Sequence, residues 1–400
     1  MSVNLLPQIP GIRLACVPAK IKNWSRDDLL LIAIDEGASV SATFTQNAFC
    51  AAPVTVAKEH IRGGSTRALL VNAGNANAAT GERGIADARA CCEAVAAALD
   101  IRPEQVLPFS TGVIGEHLPV QRILAGVPQA AQQLHADGWD AAAKAIMTTD
   151  TRPKTASRTV EIAGEQVRMV GIAKGAGMIQ PNMATMLAYV ATDAAIAQPL
   201  LDELVREAVS ASFNRISIDG DTSTNDACVL IASGKTGPAV TDAHSEEYAS
   251  LKKAITDVHV ELAQAIVKDG EGATKFVTVQ VTGAASSIEA LRVAFEVGES
   301  PLVKTALYAS DPNWGRLVMA VGNAGIEGLD PAKVNIYLDD VQVVESGGRA
   351  ACYTEEQGEQ VFTRPEFTIR VDLGRGDCQE HIWTCDFSHD YVTINAEYRT

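Results

Sequence analysis

The chain has 400 residues, of which 47% are apolar and 20% are charged, a composition typical of a folded globular protein. Acidic residues outnumber basic ones by 49 to 33 and no basic run occurs, which argues against a nucleic-acid or anionic-membrane partner and favours a small molecule. The length predicts either two domains or one large layered α/β body.

The N-terminal segment MSVNLLPQIPGIRLA lacks the basic region and the continuous apolar core of a signal peptide. No stretch of the sequence has the length and apolarity of a membrane span. We therefore expect a cytoplasmic protein.

Apolar periodicity predicts both strands and helices along the chain. In chain order, we expect strands at 29–34 and 68–73, helices over 85–99 and 201–212, a strand at 227–232, a helix over 251–266, and strands at 276–282, 367–373 and 391–398. Long helices follow groups of strands instead of alternating with each strand, which favours an α/β sandwich of layered sheets covered by helices. No repeat and no linker marks a domain boundary, so any division of the chain should be chemical.

The eight cysteines form no C-x-x-C pair and the seven histidines are scattered, without ligand spacing. We expect reduced cysteines that act as small hydrophobic residues. The sequence thus predicts neither a metal site nor a cofactor.

The segment GIAKGAGMIQPNMATMLAYVATDA, residues 171–194, joins a glycine-rich loop to an apolar strand-like run. Gly175 and Gly177 tolerate strained backbone, and Thr185 is the first hydroxyl at the junction. Attack of that hydroxyl on the Ala184 carbonyl, followed by ester hydrolysis, would free an N-terminal Thr185 whose own α-amine is a base suited to neutral pH. Taken alone, a threonine at a strand start more often packs or caps.

Further segments change that balance, because together they resemble the ornithine acetyltransferase (glutamate N-acetyltransferase) family. The matching blocks, in order, are TFTQNAFCAAPV (43–54), NAGNANAATG (72–81), FSTGVIG (109–115), MTTDT (147–151), KGAGMIQPNMATM (174–186), DGDTSTND (219–226), DGEGATKF (269–276), SDPNWGR (310–316) and NAEYRT (395–400).

The resemblance implies a precursor cut at Ala184/Thr185 into an α chain, 1–184, and a β chain, 185–400, that stay associated as a heterotetramer of two α and two β chains. It implies the fold of the self-processing aminopeptidases, similar in layering to the N-terminal-nucleophile hydrolases. The implied reaction is acetyl transfer from N2-acetylornithine to L-glutamate in arginine biosynthesis. Some members of the family also accept acetyl-CoA as donor, and the sequence does not decide this.

The resemblance also assigns site residues. Thr111 and Gly112 match the positions that stabilise the oxyanion, where a hydroxyl and a backbone N–H can donate to the developing charge. The substrate-binding positions match Thr148, Lys174, Thr185, Glu271, Asn395 and Thr400. We expect Lys174 to anchor a carboxylate, Glu271 to accept the ornithine ammonium, and a C-terminal strand to bring Asn395 and Thr400 to the site.

Two other functions were weighed against this one. A hydrolase or aminopeptidase with the same self-processing nucleophile is disfavoured, because the matching blocks extend to the substrate-binding positions. A nucleotide-binding module is disfavoured because the Asn-rich turn at 72–81 carries neither a G-x-x-x-x-G-K-[ST] nor a G-x-G-x-x-G pattern.

Overall fold

The computed structural model describes residues 6–180 and 186–397. These residues form two compact units. The first contains residues 6–175, 186–214 and 222–266, and the second contains 176–180, 215–221 and 267–397. The chain passes between the units several times, which explains why no single linker was visible in the sequence. This spatial division differs from the predicted cut at 184/185, which stays a prediction.

The first unit contains two sheets. The four-stranded sheet has the order β1-β2-β4-β5, with β1 (Ile12–Val17), β2 (Leu29–Ile34), β4 (Ala68–Asn75) and β5 (Val106–Val113). The five-stranded sheet has the order β3-β10-β8-β7-β6, with β3 (Ser39–Phe44), β6 (Lys154–Ile162), β7 (Glu165–Lys174), β8 (Leu187–Ile196) and β10 (Ala227–Val240). Strand β4 pairs parallel with β5, and β8 pairs parallel with β10.

Strand β2 shows why the sheets stack. All six of its residues are buried, yet they alternate between two cores. Leu30 and Ile32 join a core that also holds Tyr189 of the five-stranded sheet, whereas Leu29 and Leu31 face a second core. A strand whose two faces are both covered carries apolar residues at successive positions.

Helices cover the outer faces of the first unit. Its helices are α1 (Ala52–His60), α2 (Gly81–Leu99), α3 (Val120–Gln132), α4 (Trp139–Ala145), α5 (Gln198–Ala211) and α6 (Glu246–Lys268), the last of which ends in the second unit. Helices α2 and α3 pack on the four-stranded sheet, and the α6 side chains Val258 and Leu262 contact β7 at Gly171. The unit is therefore an α/β sandwich, as predicted.

The second unit is a seven-stranded sheet with helices. The strand order is β14-β13-β12-β15-β11-β16-β9, with β9 (Ile216–Ser217), β11 (Phe276–Ala284), β12 (Asn335–Leu338), β13 (Val341–Glu345), β14 (Gly348–Arg349), β15 (Glu366–Asp372) and β16 (Cys378–Cys385). Its helices are α7 (Ser287–Glu299), α8 (Pro301–Ala309), α9 (Trp314–Asn323), α10 (Glu355–Phe362) and α11 (His389–Ala396). Alternate residues of β11, namely Val277, Val279 and Val281, point into the core shared with α7.

Most predicted elements are confirmed, and one is wrong. The three predicted helices lie within α2, α5 and α6, except that α5 ends one residue early, at Ala211. The predicted strands correspond to β2, β4, β10, β11 and β15; β4, β10 and β11 extend further than predicted, and β15 is shifted by one residue. The segment 391–398 was predicted as a strand, but its residues up to Ala396 belong to helix α11. The Ser388 side chain caps this helix by accepting a hydrogen bond from the Tyr391 N–H, and a cap of this kind favours a helix that alternating side chains do not reveal.

Within the described residues, no helix is long and apolar enough to cross a membrane. The eight cysteines are all free thiols, and burial is the main reason that the pKa of Cys91 rises to about 12. A cysteine with so high a pKa is a packing residue and a poor nucleophile.

Candidate active site

Thr111 and Gly112 lie at the end of β5, against β4. Thr111 is buried, with 7% of its surface exposed. Gly112 has a φ of +132°, and a Cβ there would lie 2.3 Å from the carbonyl carbon of Gly74. Glycine is therefore required at this position by the close approach of two strands as well as by its backbone conformation.

Lys174, the last residue of β7, contacts this strand end directly. Its Nζ donates a hydrogen bond to the Thr111 Oγ1 at 3.1 Å. A hydroxyl that accepts a hydrogen bond from an ammonium keeps its own hydrogen for another acceptor, and it is polarised as a donor. Two residues predicted for separate tasks thus form one hydrogen-bonded pair.

Asp150 connects this pair to a third predicted residue. Its Oδ1 accepts from the Lys154 Nζ at 2.5 Å and from the Gly175 N–H at 2.8 Å, and its Oδ2 accepts from the Thr148 N–H at 2.9 Å. One buried carboxylate therefore holds the backbone at Thr148 and the backbone immediately after Lys174.

The charge of Asp150 is strongly favoured. Burial raises its pKa, but the ammonium groups of Lys174 and Lys154, together with hydrogen bonds from Lys154 and Gly175, outweigh that effect and hold the pKa at about 2. The carboxylate is consequently ionised at neutral pH and compensates positive charge beside Thr111.

Arg26 fixes the other side of the Thr148 segment. Its guanidinium donates to the carbonyl oxygens of Lys144 and Met147, at 2.8 and 2.5 Å, and lies 4.2 Å from the ring centroid of Trp24. The chain entering Thr148 is therefore held from two directions.

A second group of predicted residues lies in the second unit. Glu271 is 7% exposed, and its Oε2 accepts a hydrogen bond from the Asn395 Nδ2 at 2.7 Å. A Cβ at Gly177 would lie 2.5 Å from the Glu271 carboxyl carbon, so Gly177 leaves the space that this carboxylate occupies. Asn395 reaches Glu271 from helix α11, and not from the terminal strand that was predicted.

The glycine-rich loop is anchored by an acid that was not predicted. The Asp219 carboxylate accepts from the Met178 and Ile179 N–H groups at 2.6 and 2.8 Å, and from the Tyr391 hydroxyl at 3.3 Å. Gly175 has a φ of +154°, in the range that favours glycine, as expected, and Met178 has a left-handed φ of +55°. A non-glycine residue in the left-handed region costs on the order of 1 kcal/mol or more, so backbone strain also falls on Met178, which was not predicted.

Ala184, Thr185 and Thr400 lie outside the described residues. The strand predicted to follow Thr185 is present as β8, which begins at Leu187, and Met186 is buried. The assignment of the nucleophile and of the cleavage site remains a prediction.

Comparison with known proteins decides the family. The model of the ArgJ family matches residues 13–400. The arginine biosynthesis bifunctional protein ArgJ of Methylococcus capsulatus is 58% identical over 398 residues, covering 100% of this chain and 97% of its own. The protein of the same name from Pseudomonas syringae pv. tomato is 54% identical over 406 residues, covering 100% of both. This chain belongs to the ArgJ family.

Solved structures include the ArgJ protein of Bacillus halodurans, which is 37% identical and has a TM-score of 0.49, covering 52% of this chain and 97% of that chain. The full-length match to the ArgJ family confirms the family that the sequence blocks predicted, and with it the enzyme class, an acyltransferase.

Three functional candidates were missed by sequence reasoning about the ArgJ blocks. Asp150 lies in the block MTTDT, and Asp219 and Asn225 lie in DGDTSTND. The sequence feature that could have identified them is a short polar side chain inside a block that matches the family. Their partners, however, lie up to 172 positions away in the sequence, as for Asp219 and Tyr391.

Proposed function

We propose that this protein cleaves itself between Ala184 and Thr185 and then transfers acetyl from N2-acetylornithine to L-glutamate through an acetyl ester on Thr185. The observation that carries the proposal is the partly buried Thr111–Lys174 hydrogen bond, which prepares a hydroxyl to donate to an oxyanion. Membership of the ArgJ family supports the choice of reaction.

Self-cleavage starts with attack of the Thr185 hydroxyl oxygen on the Ala184 carbonyl carbon. The C–N bond then breaks and the amine takes up a proton, leaving an ester between the two residues. Water hydrolyses the ester and releases the α chain, 1–184, with a new carboxylate, and the β chain, 185–400, with a free α-amine. That amine has an ordinary pKa of about 7.7–8.0, so it serves as a base near neutral pH.

Acetyl transfer repeats this chemistry on the substrate. The Thr185 amine takes the hydroxyl proton while the oxygen attacks the acetyl carbon of N2-acetylornithine. Thr111 and the Gly112 N–H donate to the resulting oxyanion, and one such donor contributes about 2.7–4 kcal/mol to the transition state. Collapse expels ornithine as a protonated amine. The glutamate amine then attacks the ester and regenerates Thr185.

Each unit contains its own group of residues to which we assign substrate binding. A carboxylate has about four acceptor positions, so Glu271 can accept the ornithine ammonium while it holds the Asn395 amide. Lys174 and Thr148, which both interact with Asp150, also bind the substrate. Since Lys174 also donates to Thr111, its charge serves the oxyanion as well as a substrate carboxylate. Thr400 completes the set.

The name of the relatives, a bifunctional protein, favours a second activity in which acetyl-CoA loads the same Thr185 ester. We place both activities in the cytoplasm, in an assembly of two α and two β chains. An assay of glutamate acetylation with acetyl-CoA alone as donor tests the second activity.

The transfer is tested by trapping the ester. Purified protein should give two bands on a denaturing gel. The α chain should end at Ala184, and the β chain should begin with the sequence TMLAYV. N-acetylornithine alone should load one acetyl group on the peptide beginning at Thr185, and glutamate should remove it, with parallel double-reciprocal lines. Thr185→Ala is the control and should remain one uncleaved chain. Intersecting lines together with no acetylated peptide would show direct transfer in a ternary complex and refute the proposal.

A further inference from the structure

A buried amide, Asn225, joins the two sheets of the first unit next to the Thr111 strand. Asn225 is 6% exposed, and its Nδ2 donates to the carbonyl oxygens of Ser110 and Ala76 at 2.9 and 2.6 Å. Ser110 directly precedes Thr111, and Ala76 follows the end of β4. Both hydrogens of the amide are therefore used to hold the edge of the four-stranded sheet.

Asn225 itself belongs to the entrance of the five-stranded sheet. It stands two residues before β10, whose first residue, Ala227, donates its N–H to the Met186 carbonyl at 2.9 Å and pairs with Leu187 of β8. Met186 is the residue that follows Thr185. The Asn225 amide thus connects β5, which carries the Thr111 hydroxyl, to the start of β10, which pairs with the start of β8.

The amide is held in place from its own side. Its Oδ1 accepts from the Thr224 Oγ1 at 2.6 Å, and its N–H donates to the Ser223 Oγ at 3.2 Å. The Thr45 hydroxyl donates to the Ser223 carbonyl at 2.7 Å, which ties the same loop to the end of β3. A side chain fixed at both ends transmits the position of one strand to the other.

We propose that Asn225 is a positioning residue that holds Thr111 in place relative to the start of β8. This inference rests on the proposed function, because it assigns Thr111 to the oxyanion. Oxyanion donors act only within a few tenths of an ångström of their optimum, and a misplacement of about 1 Å can cost about 100-fold in rate. No contact of Asn225 with substrate is required.

The test is a double-mutant cycle between Asn225 and Thr111, with rates expressed per cleaved chain. Asn225→Ala should lower kcat about 10- to 100-fold with little change in KM, and Asn225→Ser, which keeps one donor, should fall between. In the Thr111→Ala background the same change should have a much smaller effect, because no hydroxyl remains to be positioned. If Asn225→Ala does not fold or cleave, Asn225→Ser carries the cycle.

Ser233→Ala is the matched control. Ser233 is also buried and lies on β10, about 20 Å along the strand from its first residue, Ala227. Its hydroxyl donates a hydrogen bond to the Pro10 carbonyl at 2.6 Å. It should cost stability without changing kcat.

The possible outcomes separate the two proposals. Asn225 variants with wild-type kcat, or losses that multiply fully with that of Thr111→Ala, would overturn the positioning role and leave the oxyanion assignment intact. A Thr111→Ala enzyme with unchanged kcat would overturn both, and would place the fault in the proposed function.

Discussion

Replacing Asp150 by Asn should weaken the first unit because this carboxylate is buried and satisfies four partners. It contacts the Lys154 ammonium and the N–H groups of Thr148 and Gly175, and it compensates the charge of Lys174. The amide keeps the shape of the side chain but removes the charge. The change therefore removes the charge together with one hydrogen-bond acceptor, because the amide NH2 group cannot accept a hydrogen bond.

The size of the effect follows from the pKa. Burial raises the pKa of Asp150, but the two lysine charges and the hydrogen bonds bring it to about 2, against an ordinary 3.8. One pKa unit corresponds to about 1.36 kcal/mol, so the ionised form stabilises the fold by about 2–3 kcal/mol at pH 7. Loss of one member of a buried pair costs about 3–5 kcal/mol, and we expect a decrease of about 3 kcal/mol in the free energy of unfolding.

The pH dependence has a definite sign. The pKa of Asp150 is lower in the folded state, so its stabilisation is complete above the unfolded pKa near 3.8 and is lost as the pH falls through about 2. The difference between wild type and Asp150→Asn should be constant from pH 7 to about pH 5 and should shrink below pH 4.

Urea unfolding followed by circular dichroism at several pH values measures this difference, and hydrogen exchange of β7 and β8 localises it. Asp150→Asn combined with Lys154→Met should recover much of the stability, since the buried Lys154 ammonium is then removed together with the carboxylate that pairs with it. Asp193 is a carboxylate on β8 that accepts a hydrogen bond from the Arg168 N–H at 2.7 Å. The variant Asp193→Asn is the matched control and should leave the rate of acetyl transfer unchanged. A double variant as unstable as the single one, or a difference at pH 2 as large as that at pH 7, would refute the reasoning.

Three further predictions concern the site. Thr111→Ala should lower kcat by about 10²–10³ while Thr111→Ser retains most activity, as measured by steady-state kinetics; equal rates for wild type and Ala would exclude the hydroxyl. Glu271→Gln should raise the KM for N2-acetylornithine about 10- to 100-fold through loss of a charged hydrogen bond, and an unchanged KM would exclude contact with the ammonium. Gly177→Ala should resemble Glu271→Gln because a Cβ there displaces the carboxylate. Gly322→Ala, where the added carbon has no atom outside its own helix within 4 Å, should be neutral in the same assay.

Much of the secondary structure could be predicted because it depends on local periodicity. Strands β2 and β11 and helices α2 and α6 carry apolar residues at the spacing of their elements, and that spacing survives in the fold. Helix α11 could not be predicted in this way. The alternating pattern of 391–398 is short, and the Ser388 cap and the contact of Asn395 with Glu271 favour a helix instead.

The candidate site was predicted as a set of residues but not as an arrangement. Ordered sequence blocks were sufficient to name Thr111, Lys174 and Glu271 and the ArgJ family. They did not show that Lys174 donates to Thr111, since this contact depends on how β7 and β5 of different sheets come together.

The sequence by itself determined the family, the chemistry expected of its residues and most elements, because these depend on residue type and on spacing along the chain. Only the tertiary structure decided that Asp150 bridges Thr148 and the residue after Lys174, and that Asn225 holds the strand of Thr111. The physical reason is that each of these hydrogen bonds exists only when strands far apart in sequence are packed to within about 3 Å, and burial then makes each unmatched polar group costly.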